Sequence, residues 1–512
     1  MEAIRHDYLF WKVIHELVME RNYVPIYHRD DEIWLEDDSI KPVKLLRLVR
    51  KDSDWTNRFR ENASAAAQNL DFIRKQRRIK ELQVENIYFC LRPPVDDWSK
   101  LEHPIAVGKS TMVRNHFVFL ENSEGQLELS EKLEQMQMWK QPLHVDKSLE
   151  PIQLDAKMVA YKYEVRLLAQ KIAKAEKDSF SYGKPIFTYI ILAINILAFL
   201  LIEYYGESES LLTLIEVGAK YTPLLLDGEW WRLVTTMFIH IGFLHLMMNS
   251  LALYFLGTLV ERMYGSLRFF GIYVVAGITG SIVSMWTNLS IGAGASGAIF
   301  GLFGALLYFG LKNKRLFLRT MGMNVFVVLA INLVFGFVAP FVDNGAHIGG
   351  LIGGFVAAAA SQLPKEKRSM KQLVSVAIIL LAFVAHFLFI EAYLDRSELD
   401  LLETQIAYLY IEEEDYEKAF PHLERPYLNG SELGEVYFYL GYLKANDEKY
   451  EEARELFEQA VERNPQLHPA YFNLSLLAEQ RGEIELAIRY VKQAIDLEAE
   501  PSYQERLEYL EN

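Results

Sequence analysis

The sequence has one cysteine in 512 residues, Cys90, which excludes an internal disulfide framework. It lacks a basic balance: the formal net charge is -15, against the positive footprint of a nucleic-acid binder, so no nucleic-acid partner is expected. The N-terminus lacks the unbroken apolar stretch of a cleavable leader. Asp7, Glu16, Glu20 and Arg21 interrupt it, and the chain is expected to begin in the cytoplasm. His6, His15, His28, His103, His116 and His144 show no metal-ligand spacing, so no metal or cofactor is expected. Apolar residues, by contrast, make up 51% of the chain and concentrate between about 185 and 395. Concentration in runs of this length predicts transmembrane helices.

Residues 1–150 read as a soluble mixed α/β domain. Helical spacing runs over Tyr8–Met19, and strand-like stretches cover Tyr23–Tyr27, Val43–Val49, Asn86–Leu91 and Asn115–Leu120. A polar helix is predicted over about 55–80, and Pro93-Pro94 marks a loop. Residues 151–183 read as an amphipathic linker helix ending in Lys171, Lys174 and Lys177. From 184 to 395 the spacing predicts seven spans, near 186–204, 243–260, 268–287, 296–311, 324–341, 346–362 and 373–392. The basic loops alternate accordingly: Arg262 and Arg268, then Lys312, Lys314, Arg315 and Arg319, then Lys365, Lys367, Arg368 and Lys371. The positive-inside rule puts these loops in the cytoplasm and the C-terminus outside. Residues 205–242, with Glu207, Lys220, Asp227 and Trp230-Trp231-Arg232, fit an external interfacial loop rather than a span.

Residues 398–512 are acidic and helical, with a period of 34: one copy is Gly434–Leu467 and the next His468–Pro501. Tyr437/Tyr471, Leu440/Leu474, Ala453/Ala487 and Ala460/Ala494 recur in phase, similar to tetratricopeptide repeats, which bind peptides or proteins.

Two short pieces carry the chemistry. Gly294-Ala295-Ser296-Gly297 opens one span and Ala346-His347 opens another. Both open at the external face, so Ser296 and His347 share a depth and a side. Ser296 offers a nucleophile at a helix N-terminus, where free N–H groups favour negative charge, and His347 offers a base near neutrality. Gly297, Gly301 and Gly304 on one helix and Gly349, Gly350, Gly353 and Gly354 on the other allow close contact. His245 and Asn249 lie four apart on one face, donors suited to an oxyanion site, with His240 at the entrance to their span.

With these residues in view, the sequence resembles the rhomboid family of intramembrane serine proteases over roughly 186–392. The family's Trp-Arg is matched by Trp231-Arg232, and its His-x4-His-x3-Asn by His240, His245 and Asn249. Its Gly-x-Ser-Gly is matched at 294–297, and its Ala-His-x2-Gly-x3-Gly by Ala346, His347, Gly350 and Gly354. Glu261-Arg262 with Gly265 also follows the family. The resemblance implies a six-helix core, a Ser296–His347 dyad without an acidic third member, and an oxyanion site from His245, Asn249 and the Ser296 N–H. Many members carry Tyr four residues after the serine, packed on the base; here it is Phe300, which keeps the ring and loses the hydroxyl. The seventh span and distal repeats are similar to a bacterial subtype, the GluP-like rhomboids.

The expected architecture is a polytopic α-helical protein of the cell membrane, with an N-terminal α/β domain and a C-terminal repeat array. The expected substrates are transmembrane helices with weak helix formers near the external face, because a hidden amide must unwind before attack. Protein partners are expected for the N-terminal domain and the repeats. One rival is a non-catalytic relative that binds and sorts membrane proteins, but such relatives typically lack the serine or the histidine. A proton-path transporter would need carboxylates inside the spans, and none is evident in spans three to six apart from Asp343 at a loop edge; a zinc membrane protease would need a His-Glu-x-x-His helix, which is absent.

Overall fold

The computed structural model describes residues 2–21, 23–37, 43–76, 79–108, 110–120, 123–135, 149–339, 342–364, 366 and 369–512. His144, Lys365, Lys367 and Arg368 lie outside the described residues. The chain forms two compact units, Met1–Ser179 and Phe180–Asn512.

The first unit orders as α1 (Glu2–Glu20), β1 (Val24–His28), β2 (Glu32–Asp37), β3 (Val43–Arg50), α2 (Thr56–Gln76), β4 (Leu82–Cys90), β5 (Ile105–Val107), β6 (Thr111–Phe119), α3 (Ser123–Gln135) and α4 (Pro151–Ser179). The sheet order is β1-β2-β3-β4-β6-β5, with parallel pairing at β3–β4 and β4–β6. Strand alternation splits the core in two. Leu46, Leu48, Ile87 and Phe89 pack against α1, α3 and α4, while Leu45, Val84 and Val113 face Ala67 and Leu70 of α2. Arg47 lies on the α2 face and is 2% exposed. Its guanidinium is satisfied by Glu32 at 2.7 Å, Asn62 at 3.0 Å and Asn86 at 3.1 Å, as a buried charge requires. Cys90 is fully buried, and burial pushes its thiol up, away from reactivity. The expected α/β class holds, with β2 and β5 in addition to the four strands read from sequence. The linker helix is part of this unit: Leu154 and Val165 of α4 belong to its core.

The second unit begins with α5 (Phe187–Tyr205), followed by the short helices α6 (Leu211–Glu216), α7 (Thr222–Leu226) and α8 (Arg232–Thr235). Then come α9 (Gly242–Ala252) and α10 (Thr258–Tyr264), joined by a π-type turn into one helix, and α11 (Ser266–Thr287). Next are α12 (Ser296–Lys312), α13 (Lys314–Thr320), α14 (Gly322–Val338), α15 (Asn344–Ser361) and α16 (Met370–Tyr393). Apolar helices thus occupy all seven expected segments. Of these, Phe187–Tyr205, Gly242–Tyr264 and Ser266–Thr287 are long and apolar enough to cross a membrane, and the chain is a multi-pass membrane protein.

Helix α12 is buried along most of its length, whereas α5, α9, α14 and α16 keep exposed rows such as Leu197, Leu200, Phe243, Leu244, Phe335 and Leu381. An apolar surface of this kind suits lipid. At the other end of α10, Glu261 is fully buried and caps α5. Its carboxylate accepts from the N–H groups of Ile186, Phe187 and Thr188 at 2.8–2.9 Å and from Thr188 Oγ1 at 2.7 Å. That set satisfies most of a helix's free first-turn donors with one anion.

The repeat array comprises α17 (Arg396–Glu412), α18 (Tyr416–Leu428), α19 (Gly434–Asn446), α20 (Tyr450–Arg463), α21 (His468–Gln480), α22 (Ile484–Leu497) and α23 (Pro501–Glu511). Small residues sit where helices of a pair cross: a Cβ at Gly434 would lie 2.8 Å from the Ala460 carbonyl, and one at Gly441 would lie 2.9 Å from the Phe457 ring. Ala453, Ala460, Ala487 and Ala494 are fully buried. The first pair rests on the α6–α7 loop, where Leu212, Ile215 and Tyr221 share a core with Ile406, Ala407, Ala419 and Leu423.

Candidate active site

Three helices meet at their glycines. Helix α15 lies wedged between α11 and α12. A methyl group at Gly350 would collide with the carbonyl of Gly297, one at Gly354 with Gly301, and one at Gly280 of α11 would stand 2.7 Å from the Ala346 carbonyl. Backbone contact is what small-residue faces permit in lipid, where packing replaces the hydrophobic drive. It brings the N-terminal ends of α12 and α15 together. Gly297, next to Ser296, faces Ala346, next to His347, with a Cβ at Gly297 falling 3.2 Å from the Ala346 carbonyl.

His347 is 8% exposed, and its ring stacks on Phe300 with centroids 4.0 Å apart and planes 11° from parallel. Phe300 stands one turn along α12 from the half-buried Ser296, so the stack holds the imidazole against the same helix as the serine. His347 Nδ1 is buried without a hydrogen-bond partner among the described residues. No hydrogen bond joins Ser296 Oγ to the imidazole among the described residues. Such bonds are often long before substrate arrives and tighten in the Michaelis complex.

Two histidines lie against the segment that leads into α12. His245 presses on Gly294: a Cβ there would lie 2.7 Å from His245 Cε1, and Gly294 has φ +132°. Conformation and contact both demand glycine at that position. His240 is fully buried. Its Nδ1 lies 3.3 Å from the Phe238 carbonyl and its Nε2 accepts from Ala295 N at 3.5 Å. That pairing fits a neutral ring protonated at Nδ1. His240 and His245 meet edge to face at 5.3 Å. Asn249 is 7% exposed and donates one amide hydrogen to the His245 carbonyl at 3.1 Å, which leaves its second N–H for another acceptor. The Ser296 N–H belongs to the first turn of α12, where the helix uses no N–H itself.

Trp231 and Arg232 organise the loop rather than touch this centre. Arg232 is 4% exposed and donates to Glu229 at 2.6 Å and to the Ile215 and Ala219 carbonyls at 2.6 and 3.2 Å. Trp231 packs over Gly218, where a Cβ would lie 2.5 Å from the ring.

One group here escaped sequence reading. Asp343 caps α15, accepting from Ala346 N at 2.9 Å, and its other oxygen accepts from the Ser284 hydroxyl. Ser284 in turn accepts from Lys220 Nζ at 2.6 Å. Lys220 reads in the sequence as one charge among several in a mixed loop; its burial at 1% exposure appears only in the fold.

A Rhomboid domain model matches residues 227–363, and tetratricopeptide repeat models match 434–467 and 468–501. The chain is 38% identical to Rhomboid protease GluP of Bacillus subtilis (strain 168) over 424 residues, 81% of this chain and 80% of that protein. It is 34% identical to Putative rhomboid protease YdcA of the same organism over 186 residues, covering 36% of this chain and 92% of that one. It is 40% identical to RHOMBOID-like protein 5 of Arabidopsis thaliana over 151 residues, covering 28% of this chain and 48% of that one.

Proposed function

The chain belongs to the rhomboid family of intramembrane serine proteases, and on that footing we propose that Ser296 is its nucleophile and His347 its general base. His347 takes the Ser296 proton as Oγ attacks the scissile carbonyl. The tetrahedral oxyanion is held by the Ser296 N–H, the free Asn249 N–H and His245. The imidazolium then returns its proton to the departing amine as the C–N bond breaks, leaving an acyl-enzyme. Water, deprotonated by the same imidazole, hydrolyses the ester and regenerates Ser296. His240 and Gly294 shape the loop that carries the nucleophile, and Gly297, Gly350 and Gly354 keep the two helices in contact. The observation that carries this reading is the Phe300–His347 stack beside the Gly297–Ala346 contact, which makes nucleophile and base neighbours.

The substrate is a transmembrane segment cut near the extracytoplasmic face. Supporting this, Arg268 donates to the Ser361 carbonyl at the far end of α15, and Lys312 ends α12 at the same level, opposite Ser296 and His347. Positive residues at that end support a cytoplasmic position for it and for the N-terminus. The repeat array, resting on the α6–α7 loop, then lies outside, at the end of the bundle that holds Ser296, where it engages the exposed part of a substrate or another protein.

The test is cleavage of a transmembrane substrate in proteoliposomes by wild type, Ser296→Ala and His347→Ala, with fluorophosphonate labelling in parallel. We expect both variants to insert normally and to cleave nothing, and labelling to disappear with Ser296→Ala. Full residual cleavage by either would refute the dyad.

A further inference from the structure

Lys220 stands at the junction of three elements: the segment leading into α12, the C-terminal end of α11 and the cap of α15. Its main chain bridges to the segment that leads into α12: Lys220 N donates to the Gly292 carbonyl at 2.8 Å, and Gly292 N returns a bond to the Lys220 carbonyl at 2.9 Å. Gly292 lies four residues before Ser296. Thr236 reinforces the same segment, its hydroxyl donating to the Gly292 carbonyl at 2.5 Å and its carbonyl accepting from Gly294 N at 2.9 Å. The Lys220 side chain passes over Gly292, where a Cβ would lie 3.0 Å from Lys220 Cε, and reaches α11. Nζ donates to Ser284 Oγ at 2.6 Å and to the Asn288 carbonyl at 2.8 Å, both at the C-terminal end of α11. Ser284 passes the contact to Asp343, the residue that caps α15 four positions before His347. The Asp343 carbonyl also accepts from His347 N at 3.2 Å.

An ammonium buried this deeply requires a counter-charge, and a carboxylate reached through one hydroxyl supplies it. The cost of burying the charge implies that something is gained in geometry. Resting on the Ser296–His347 reading, we propose that Lys220 is a positioning residue for that pair: its backbone fixes the approach to the serine helix, and its side chain, through Ser284, fixes the cap of the histidine helix. One residue thereby sets the gap between nucleophile and base. It touches neither, and it contributes by holding the gap within the narrow range that proton transfer tolerates.

The test measures kcat and KM for a transmembrane substrate, together with thermal midpoints, for wild type, Lys220→Met, Ser284→Ala, the double variant and Ser296→Ala, all in the full chain. A displacement of about 1 Å at a reacting pair costs up to roughly 100-fold. We therefore expect Lys220→Met to lower kcat between about 10- and 100-fold with KM within about twofold of wild type. Ser284→Ala should lower kcat as well, and the double variant should be no slower than Lys220→Met alone, because both changes cut one chain of contacts. If Lys220→Met does not accumulate as folded protein, Ser284→Ala, which removes only a hydroxyl, must still show the kcat loss at unchanged KM. Unchanged kcat in either folded variant, or losses that multiply in the double variant, would overturn the proposal. Ser296→Ala separates the two ideas: if it is inactive while Lys220→Met is fully active, the dyad stands and the brace falls; if it is active, the dyad itself falls.

Discussion

The rings of Phe300 and His347 face each other at 4.0 Å, only 11° from parallel. A face-on neighbour restrains rotation of the imidazole about its χ2 axis, so Phe300 does by shape what a hydroxyl does by hydrogen bonding. An aromatic pair of this kind is worth about 0.5–1.5 kcal/mol beyond its burial. Phe300→Leu should therefore lower kcat about 3- to 10-fold while KM holds, and Phe300→Tyr should stay close to wild type. Steady-state cleavage of a transmembrane substrate reads both; equal rates for Phe300→Leu and wild type would show that another contact orients the base.

Glycine positions in the bundle divide by what surrounds them. A methyl group at Gly350 meets the Gly297 carbonyl and one at Gly354 meets Gly301, whereas one at Gly271 on the outside of α11 meets nothing within 4 Å. Overpacking costs typically about 1–3 kcal/mol, and here the displaced helices carry the proposed nucleophile and base. Gly350→Ala should lower the thermal midpoint and reduce cleavage by more than tenfold, on the order expected from a misplaced pair. Gly271→Ala should leave cleavage unchanged and match or exceed wild-type stability. Equal behaviour of the two variants would contradict helix contact as the basis of the site.

The proposed role of Lys220 carries a pH dependence. Burial pulls its amine down to about 8, with Asp343 pulling weakly the other way. Asp343, reached through Ser284, is the charged group that faces it, and Asn288 adds a neutral carbonyl. Between about 8 and the ordinary lysine value of 10.5 the native state binds fewer protons than the unfolded one. This group's burial penalty is thus relieved, and its contribution to stability rises, as pH rises through that window. Over the same window the ammonium becomes an amine and its hold on Ser284 weakens, so kcat should fall above about pH 8 although the protein is not destabilised by this group. Lys220→Met should lack this alkaline limb; a limb of the same midpoint in that variant would assign it elsewhere.

The apolar helices and the candidate site motifs were legible in the sequence because their signals are local. Apolar runs, the glycines around Ser296 and the histidine opening α15 each lie within about one turn or span of one another. The Lys220–Ser284 contact was not legible, because the two residues are 64 positions apart and meet only in the fold. The soluble unit shows the same limit. β2 carries Glu32, Glu36 and Asp37 around a short apolar centre, and β5 has three residues, so neither stands out as a strand. The parallel pairing of β3, β4 and β6 is a tertiary choice that no single segment encodes.

The joint between repeats and loop rests on groups that salt and mutation can reach. Tyr221, fully buried, approaches His422 Nδ1 with its hydroxyl at 3.4 Å, and Lys418 pairs with Glu216 at 2.8 Å. Arg425 bridges Asp227 of the loop to Glu403 of the array, whose carboxyl burial pushes up and Arg425 holds down. Exposed pairs such as Lys418–Glu216 contribute about 0–1 kcal/mol each, so the apolar contact and the Arg425 bridge dominate. Tyr221 follows Lys220 in extended backbone, and successive side chains there point to opposite faces: Lys220 into the bundle, Tyr221 into the array. Arg425→Glu sets a third carboxylate against Asp227 and Glu403, and it should release the array without unfolding it. The expected result is faster proteolytic nicking near 394–400, with the bundle and the isolated array fragment both remaining resistant. Nicking at the wild-type rate would mean that the array is held by contacts other than this bridge.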